Sequence, residues 1–262
     1  MTRREALNVP VAAGLAQISS QAAMQSQSKP RHYIELTYYW CRNSADGQVA
    51  RITEFLKEAM APAAEKAGVS GHGYFGTLIA PDGPYVVSLM AFPSFAAIEE
   101  IKRKAFSDPV LGKAVEKFNG MPGLGYTRVE SMLLRGFTGF PAIETPKPKD
   151  SPRVFELRRY ESDNFLTLGK KMNMFDSGET GIFRRVGMQP VFFGETIYGP
   201  KMPNLTYMLG YDDLAHREKT WKAFLADPEW IKMRGTPGLS DAEVVSNISA
   251  TLLRPLPFSP IR

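Results

Sequence analysis

Two short strings hold residue types that chemistry needs. Glu156, Arg158 and Tyr160 alternate along VFELRRY, and Glu35, Thr37 and Tyr39 alternate along YIELTYY, so in an extended chain each trio shares one face. A carboxylate set beside tyrosines and away from water has its pKa raised, which suits proton abstraction near neutral pH. A guanidinium next to it can stabilise the anion that develops. The pattern therefore nominates Glu156 as a base, with Glu195 as a second candidate expected in the same space, and Arg158 as their electrostatic partner. Glu35, Tyr39, Tyr160, Asn247 and Arg128 would complete a polar lining that binds a small molecule. A structural reading stands beside this one: the charges pair between two parts of the chain, fix their register and do no chemistry.

Other chemistries find less support. His72 lies between two glycines and His216 in a late helical stretch; a haem iron held by His216, or by His72, is the one cofactor alternative, and no other cofactor is predicted. There is no Gly-rich phosphate loop, no Ser-His-Asp order and no nucleophilic-cysteine pattern. Cys41 is the single cysteine, so no intramolecular disulfide forms and no multi-thiolate zinc site is expected. The net charge of +5 arises from 32 basic and 27 acidic residues that are interspersed, the densest basic groups being pairs such as Lys170-Lys171 and Arg184-Arg185. That scatter argues against nucleic acid as a partner.

The elements that must position these residues come as two copies. Asp108-Pro109 recurs as Asp227-Pro228, Tyr33-Ile34-Glu35-Leu36 as Val154-Phe155-Glu156-Leu157, Pro122-Gly123-Leu124 as Pro237-Gly238-Leu239, and Leu133-Leu134-Arg135 as Leu252-Leu253-Arg254. Constant order with slightly varying offsets describes a tandem duplication. Residues 31–137 form the first copy, 138–152 a proline-rich linker expected to be extended, and 153–262 the second copy with an extended C-terminal tail.

Each copy reads as β-α-β-β-α-β. In the second, a strand from Val154 to Glu161 precedes a helix from Phe165 to Phe175, closing at Gly178 as a left-handed cap. A weaker helical turn over 182–186, two strands, a helix capped by Asp212 or Asp213 and ended at Asp227, and a last strand follow. Ser94 takes the capping role in the first copy. Ile34, Leu36, Tyr38 and Trp40, with Phe155 and Leu157, are assigned to the helix-packed face, which leaves the acid and tyrosine trios for the opposite one. A four-stranded sheet with helices on one side has a second side to cover, so the copies are expected to pack bare face to bare face.

Residues 1–30 stand apart. Arg3-Arg4, the uncharged run from Ala6 to Ser20 and the small residues after it resemble a twin-arginine export signal, which implies a periplasmic protein; a cytoplasmic one with a basic tail is the alternative. The run is too short for a membrane span, which takes about 20 residues.

The strings VFELRRY, LGKKMNMF, SGETGIFRRVGMQPVFFGE and PNLTYMLGYDDLAHREKTWKAFLADPEW, with the ending LLRPLPFSPIR, resemble the NIPSNAP family over residues 153–262; the first copy is similar but more divergent. The resemblance implies an α+β fold: two tandem ferredoxin-like βαββαβ domains packed sheet-to-sheet as a dimeric α+β barrel-like unit, with further homo-oligomerisation open. It names no reaction. Three functions are carried forward: small-molecule binding in a polar barrel interior with cofactor-light monooxygenase or isomerase activity, a non-catalytic scaffold whose helices and Pro255–Phe258 tail grip a partner, and haem binding. A cavity of about 300 Å³ or more with converging polar groups would favour the first, and a filled interior the second.

Overall fold

The computed structural model describes residues 29–147, 149 and 151–262. Residues 1–28, which carry the arginine pair and apolar run of the expected export signal, lie outside the described residues. No helix among the described residues is long and apolar enough to cross a membrane.

The first half runs β1 (Tyr33–Trp40), α1, β2 (Gly71–Ile79), β3 (Tyr85–Phe92), α2 (Phe95–Phe106), α3 (Pro109–Gly120) and β4 (Arg128–Gly136). The second runs β5 (Val154–Glu161), α4, β6 (Gln189–Tyr198), β7 (Asn204–Tyr211), α5 (Leu214–Ala226), α6 (Pro228–Arg234), α7 (Asp241–Val244) and β8 (Asn247–Pro255). Helix α1 spans Gln48–Phe55, a wider turn at Leu56–Met60 and Ala61–Ala67. Helix α4 repeats this as Phe165–Met174, a wider turn at Phe175–Glu179 and Thr180–Arg185. Gly178 therefore does not close the helix as a left-handed cap. Its φ of 175° is extended, and the chain turns there and continues as helix.

Local chemistry sets the helix starts. The Ser94 side chain accepts from the Ala97 amide, and that of Asp213 from the His216 amide. The repeated Asp-Pro does more than end a helix. Asp108 accepts from the Val110 amide and Asp227 from the Glu229 and Trp230 amides, with proline at the first helical position in each case, so two further helices, α3 and α6, begin there.

The eight strands close into one barrel in the order β1-β3-β2-β8-β5-β7-β6-β4. Two antiparallel seams join the halves: β2 with β8, as in Gly76 opposite Arg254, and β4 with β6, as in Arg135 opposite Glu195. The halves thus pair edges as well as share faces, and among the described residues no strand edge is left open. Ile34, Leu36, Leu89, Leu134, Phe155 and Leu253 fill the interior together. Outside the barrel, the second-half helices bring Phe175, Phe183, Phe224 and Trp230 against Tyr160, Tyr207 and Tyr211. The first-half helices cover Tyr74, Val86 and Phe92 in the same way.

This arrangement inverts the expected facing of β1 and β5. Ile34, Leu36, Tyr38, Trp40, Phe155 and Leu157 point into the barrel, and the Glu-containing trios lie on the outer face beneath the helices. The physical reason is that both faces of these strands are covered, one by helices and one by the other half, so alternation alone does not distinguish them.

The linker and tail pack on the barrel. Phe140 and Ile143 join the core clusters, the His32 amide donates to the Pro141 carbonyl and the Glu144 amide to the Val191 carbonyl. The tail crosses the first half: the Leu256 amide donates to the Tyr74 carbonyl, the Tyr74 amide to Ser259 Oγ, and Ile261 is fully buried in the barrel core.

Candidate functional site

Glu156 sits fully buried between the sheet and α5. It accepts from Arg158 Nη1 at 2.8 Å, Arg217 Nη2 at 2.6 Å and Nε at 2.9 Å, Trp221 Nε1 at 2.9 Å and Tyr211 Oη at 3.2 Å. Burial by itself would raise its pKa, yet the hydrogen bonds from Arg217 and Trp221 and the charge of Arg158 hold the carboxyl below its ordinary value. The expected raised pKa is therefore corrected: Glu156 is held ionised with its acceptor capacity taken up, which makes it a poor base and a strong clamp on α5. Arg158, with Nη2 donating to Tyr160 Oη at 3.2 Å and its guanidinium 4.5 Å from the Trp221 ring, belongs to the same cluster.

Glu195 does not share that space. It meets Arg135 at 2.7 Å across the β4–β6 seam. Glu35, the counterpart of Glu156, pairs with Lys102 of α2 at 2.7 Å. With Tyr39, Ser88 and Met90 it lines a cleft of about 190 Å³ beneath the first-half helices. Tyr39 is pushed up to about 12 by burial. Tyr160 accepts from Tyr207 at 2.8 Å in the second-half core. None of Glu35, Tyr39, Glu156, Arg158, Tyr160 and Glu195 faces the barrel interior.

Asn247 is exposed at the start of β8, donates to Glu161 and is not part of the lining, whereas Arg128 lies on the rim of one open end of the barrel. There β1 and β5 finish, β4 and β8 begin, and the β2–β3 and β6–β7 turns overhang. Asp82 and Lys201 hold equivalent places in those turns, both with positive φ, 56° and 62°. The opening is a cavity of about 240 Å³. Its first-half wall is aromatic: Trp40 and Tyr85 lie 4.4 Å apart between ring centroids, Tyr38 and Tyr85 5.7 Å, and the Arg128 guanidinium sits 4.2 Å from the Trp40 ring. The opposite wall carries Arg159, Thr206, Ser249 and Thr251, and Met132 and Leu157 form the floor. Tyr85 and Thr251 hydroxyls bridge the walls at 3.4 Å. Burial pushes the Tyr38 hydroxyl up to about 12 although Arg159 pulls it down, so Tyr38 is a neutral donor across the physiological range. Sequence reasoning missed Tyr38, Trp40, Tyr85 and Arg159, which follow from the strand register once the facing is known.

The NIPSNAP family pattern matches residues 155–260, which covers β5 through β8. The match places a NIPSNAP domain in the second half of the chain. Over most of its length the chain is similar in fold to a candidate monooxygenase of Fusobacterium nucleatum, with TM-score 0.57 and 6% identity over 86% of this chain and 93% of that one. It is likewise similar to a candidate monooxygenase of Lactobacillus acidophilus, with TM-score 0.50 and 14% identity over 85% and 93%. A NIPSNAP-like domain protein of Burkholderia xenovorans is 24% identical, covering 41% of this chain and 89% of its own, with TM-score 0.36. No curated protein matches the chain. The NIPSNAP half supplies the hydroxyl and guanidinium wall of the mouth, and the divergent first half supplies the aromatic wall.

The histidines stand elsewhere. His72 is buried with Nδ1 3.2 Å from Tyr74 Oη and Nε2 3.2 Å from Glu65, so as placed it has no nitrogen free for a haem iron. His216 Nδ1 accepts from the Asp212 amide beside the start of α5. Neither lines the mouth.

Proposed function

We propose that this NIPSNAP-type protein binds a small molecule in the barrel mouth that its two halves build together. The observation that carries the reading is an open cavity of about 240 Å³ whose aromatic wall and hydroxyl-guanidinium wall come from different copies. The barrel below the mouth is filled and the mouth falls short of the roughly 300–1,000 Å³ of a drug-sized pocket, so the fit is to something smaller. Native mass spectrometry of the full chain tests this. A bound mass is expected, released on denaturation and lost in Ser249→Trp, which fills the mouth; a bound mass indifferent to that substitution, or none, sinks the reading.

A catalytic extension, cofactor-light oxygenation or isomerisation, draws on the names of the two barrel neighbours and on Arg159 beside Tyr38 over an apolar floor, a pairing suited to an enolate oxygen. Oxygen uptake by the wild type and its loss in Arg159→Gln would support it; uptake equal in both would remove it. Export to the periplasm, drawn from Arg3-Arg4 and the uncharged run, belongs to the same proposal. Cell fractionation that finds the full-length chain in the cytoplasm would count against it.

A further inference from the structure

The mouth is rich in donors that lack acceptors. Among the described residues, two buried nitrogens on its lining side chains, Arg159 Nε and Trp40 Nε1, have no hydrogen-bond partner. Several other arginines also keep an idle Nε, but each has a strong acceptor at its terminal nitrogens. Arg158 has Glu156, Arg135 has Glu195, Arg153 has the Arg262 carbonyl and Arg51 has the carbonyls of Phe118 and Pro122. Arg159 differs. Its neighbours are the Met132 sulfur, 3.3 Å from Nη2, and the Tyr38 hydroxyl, neither of which carries a charge.

The acids around the mouth do not answer it. Glu130 accepts from Arg128 at 2.7 Å, Glu161 accepts from Asn247 at 2.8 Å and faces Lys201 at 3.6 Å, and Asp82 is exposed in its turn, where water screens it. Arg159 is half-buried with its Nε fully enclosed, and leaving such a guanidinium without a counter-charge carries a cost that a partner arriving from outside would relieve. The aromatic wall of Tyr38, Trp40 and Tyr85 presents flat apolar surface beside it.

Resting on the reading of the mouth as a ligand site, we infer that it takes a small planar carboxylate, with the carboxylate oxygens on Arg159 and the flat body against the Tyr38–Trp40–Tyr85 wall. Bidentate pairing with a guanidinium makes the charge decisive, because a neutral isostere of the same shape cannot reproduce it.

The probes are benzoate, benzamide and acetate, titrated into the full chain by calorimetry, with tryptophan fluorescence as a second readout. Benzoate is expected to bind at least about tenfold more tightly than benzamide or acetate. Arg159→Gln should weaken benzoate by at least about tenfold and leave benzamide unchanged, and Trp40→Leu should weaken benzoate more than acetate. Should Arg159→Gln fail to fold, Arg159→Lys decides, since it keeps the charge and loses the fork. Equal binding of benzoate and benzamide, an unaltered benzoate affinity in the Arg159 variants, or no binding of any probe overturns the carboxylate assignment. The mouth itself survives that failure if native mass spectrometry still shows a bound mass that Ser249→Trp expels, and falls if it does not.

Discussion

Arg135 of β4 and Glu195 of β6 meet at 2.7 Å across a seam between the two halves, each from a different copy of the duplicated unit. The pair sits on the outer face of the barrel and is partly exposed, so its worth is that of a good surface bridge rather than of a core contact. Glu195→Gln should cost about 1 kcal/mol or less in urea unfolding and leave the barrel closed. A loss several times larger would mean that the seam depends on this contact.

The Glu156 cluster should behave differently. Glu156→Gln leaves Arg158 and Arg217 without their carboxylate in a buried place and is expected to destabilise by about 3–5 kcal/mol. Ligand binding at the mouth, on the other side of the sheet, should persist in whatever fraction remains folded. Unchanged stability in thermal and chemical unfolding would show that the cluster is no clamp.

Acid should erase that advantage. Because the folded-state pKa of Glu156 is depressed, its contribution is fully present above the ordinary value of 4.5 and is lost as pH falls through the lowered folded value. The melting-temperature gap between wild type and Glu156→Gln should therefore be constant near neutrality and narrow progressively below about pH 4.5. A gap that widens on acidification would contradict the depressed pKa.

Arg159 is expected to trade stability for binding. Replacing it with methionine removes an uncompensated charge from the mouth, so the ligand-free variant should melt at or above the wild-type temperature, by up to about 2 kcal/mol of added stability. A clear loss of stability would indicate a structural partner for Arg159 and weaken its assignment to ligand.

The tail is a load on the first half. Ile261 is fully buried within the barrel core, and Ile261→Ala should cost about 2–4 kcal/mol in chemical unfolding. A change below about half a kcal/mol would place the tail outside the cooperative unit.

Much of the architecture was legible because it rests on local signals. The duplication, the strands from Val154 and Tyr33, and the caps at Ser94 and Asp213 all follow from residue type and spacing. The site was not. Glu156 and Tyr160 look like pocket residues by type, yet which face of β5 turns inward depends on what covers each face, and both are covered. Arg128 lies at the mouth because β4 begins there, Asn247 falls outside its lining, and Arg159 was passed over beside Arg158, one residue and one face away. The wider turns at Leu56–Met60 and Phe175–Glu179 carry no marker that periodicity would reveal, although they too are written twice. Asp227 was taken for a stop when it is also a start.

Joining the copies in one polypeptide has released them from having to match. An opening assembled from two identical chains must show every group twice about its axis, and so favours guests that look the same from either side. Here Tyr38 stands where the other copy has Arg159, 121 positions on, and Glu130 where it has Ser249. Such an entrance can tell the head of a molecule from its tail, a discrimination that a symmetric pair of the same units could not achieve.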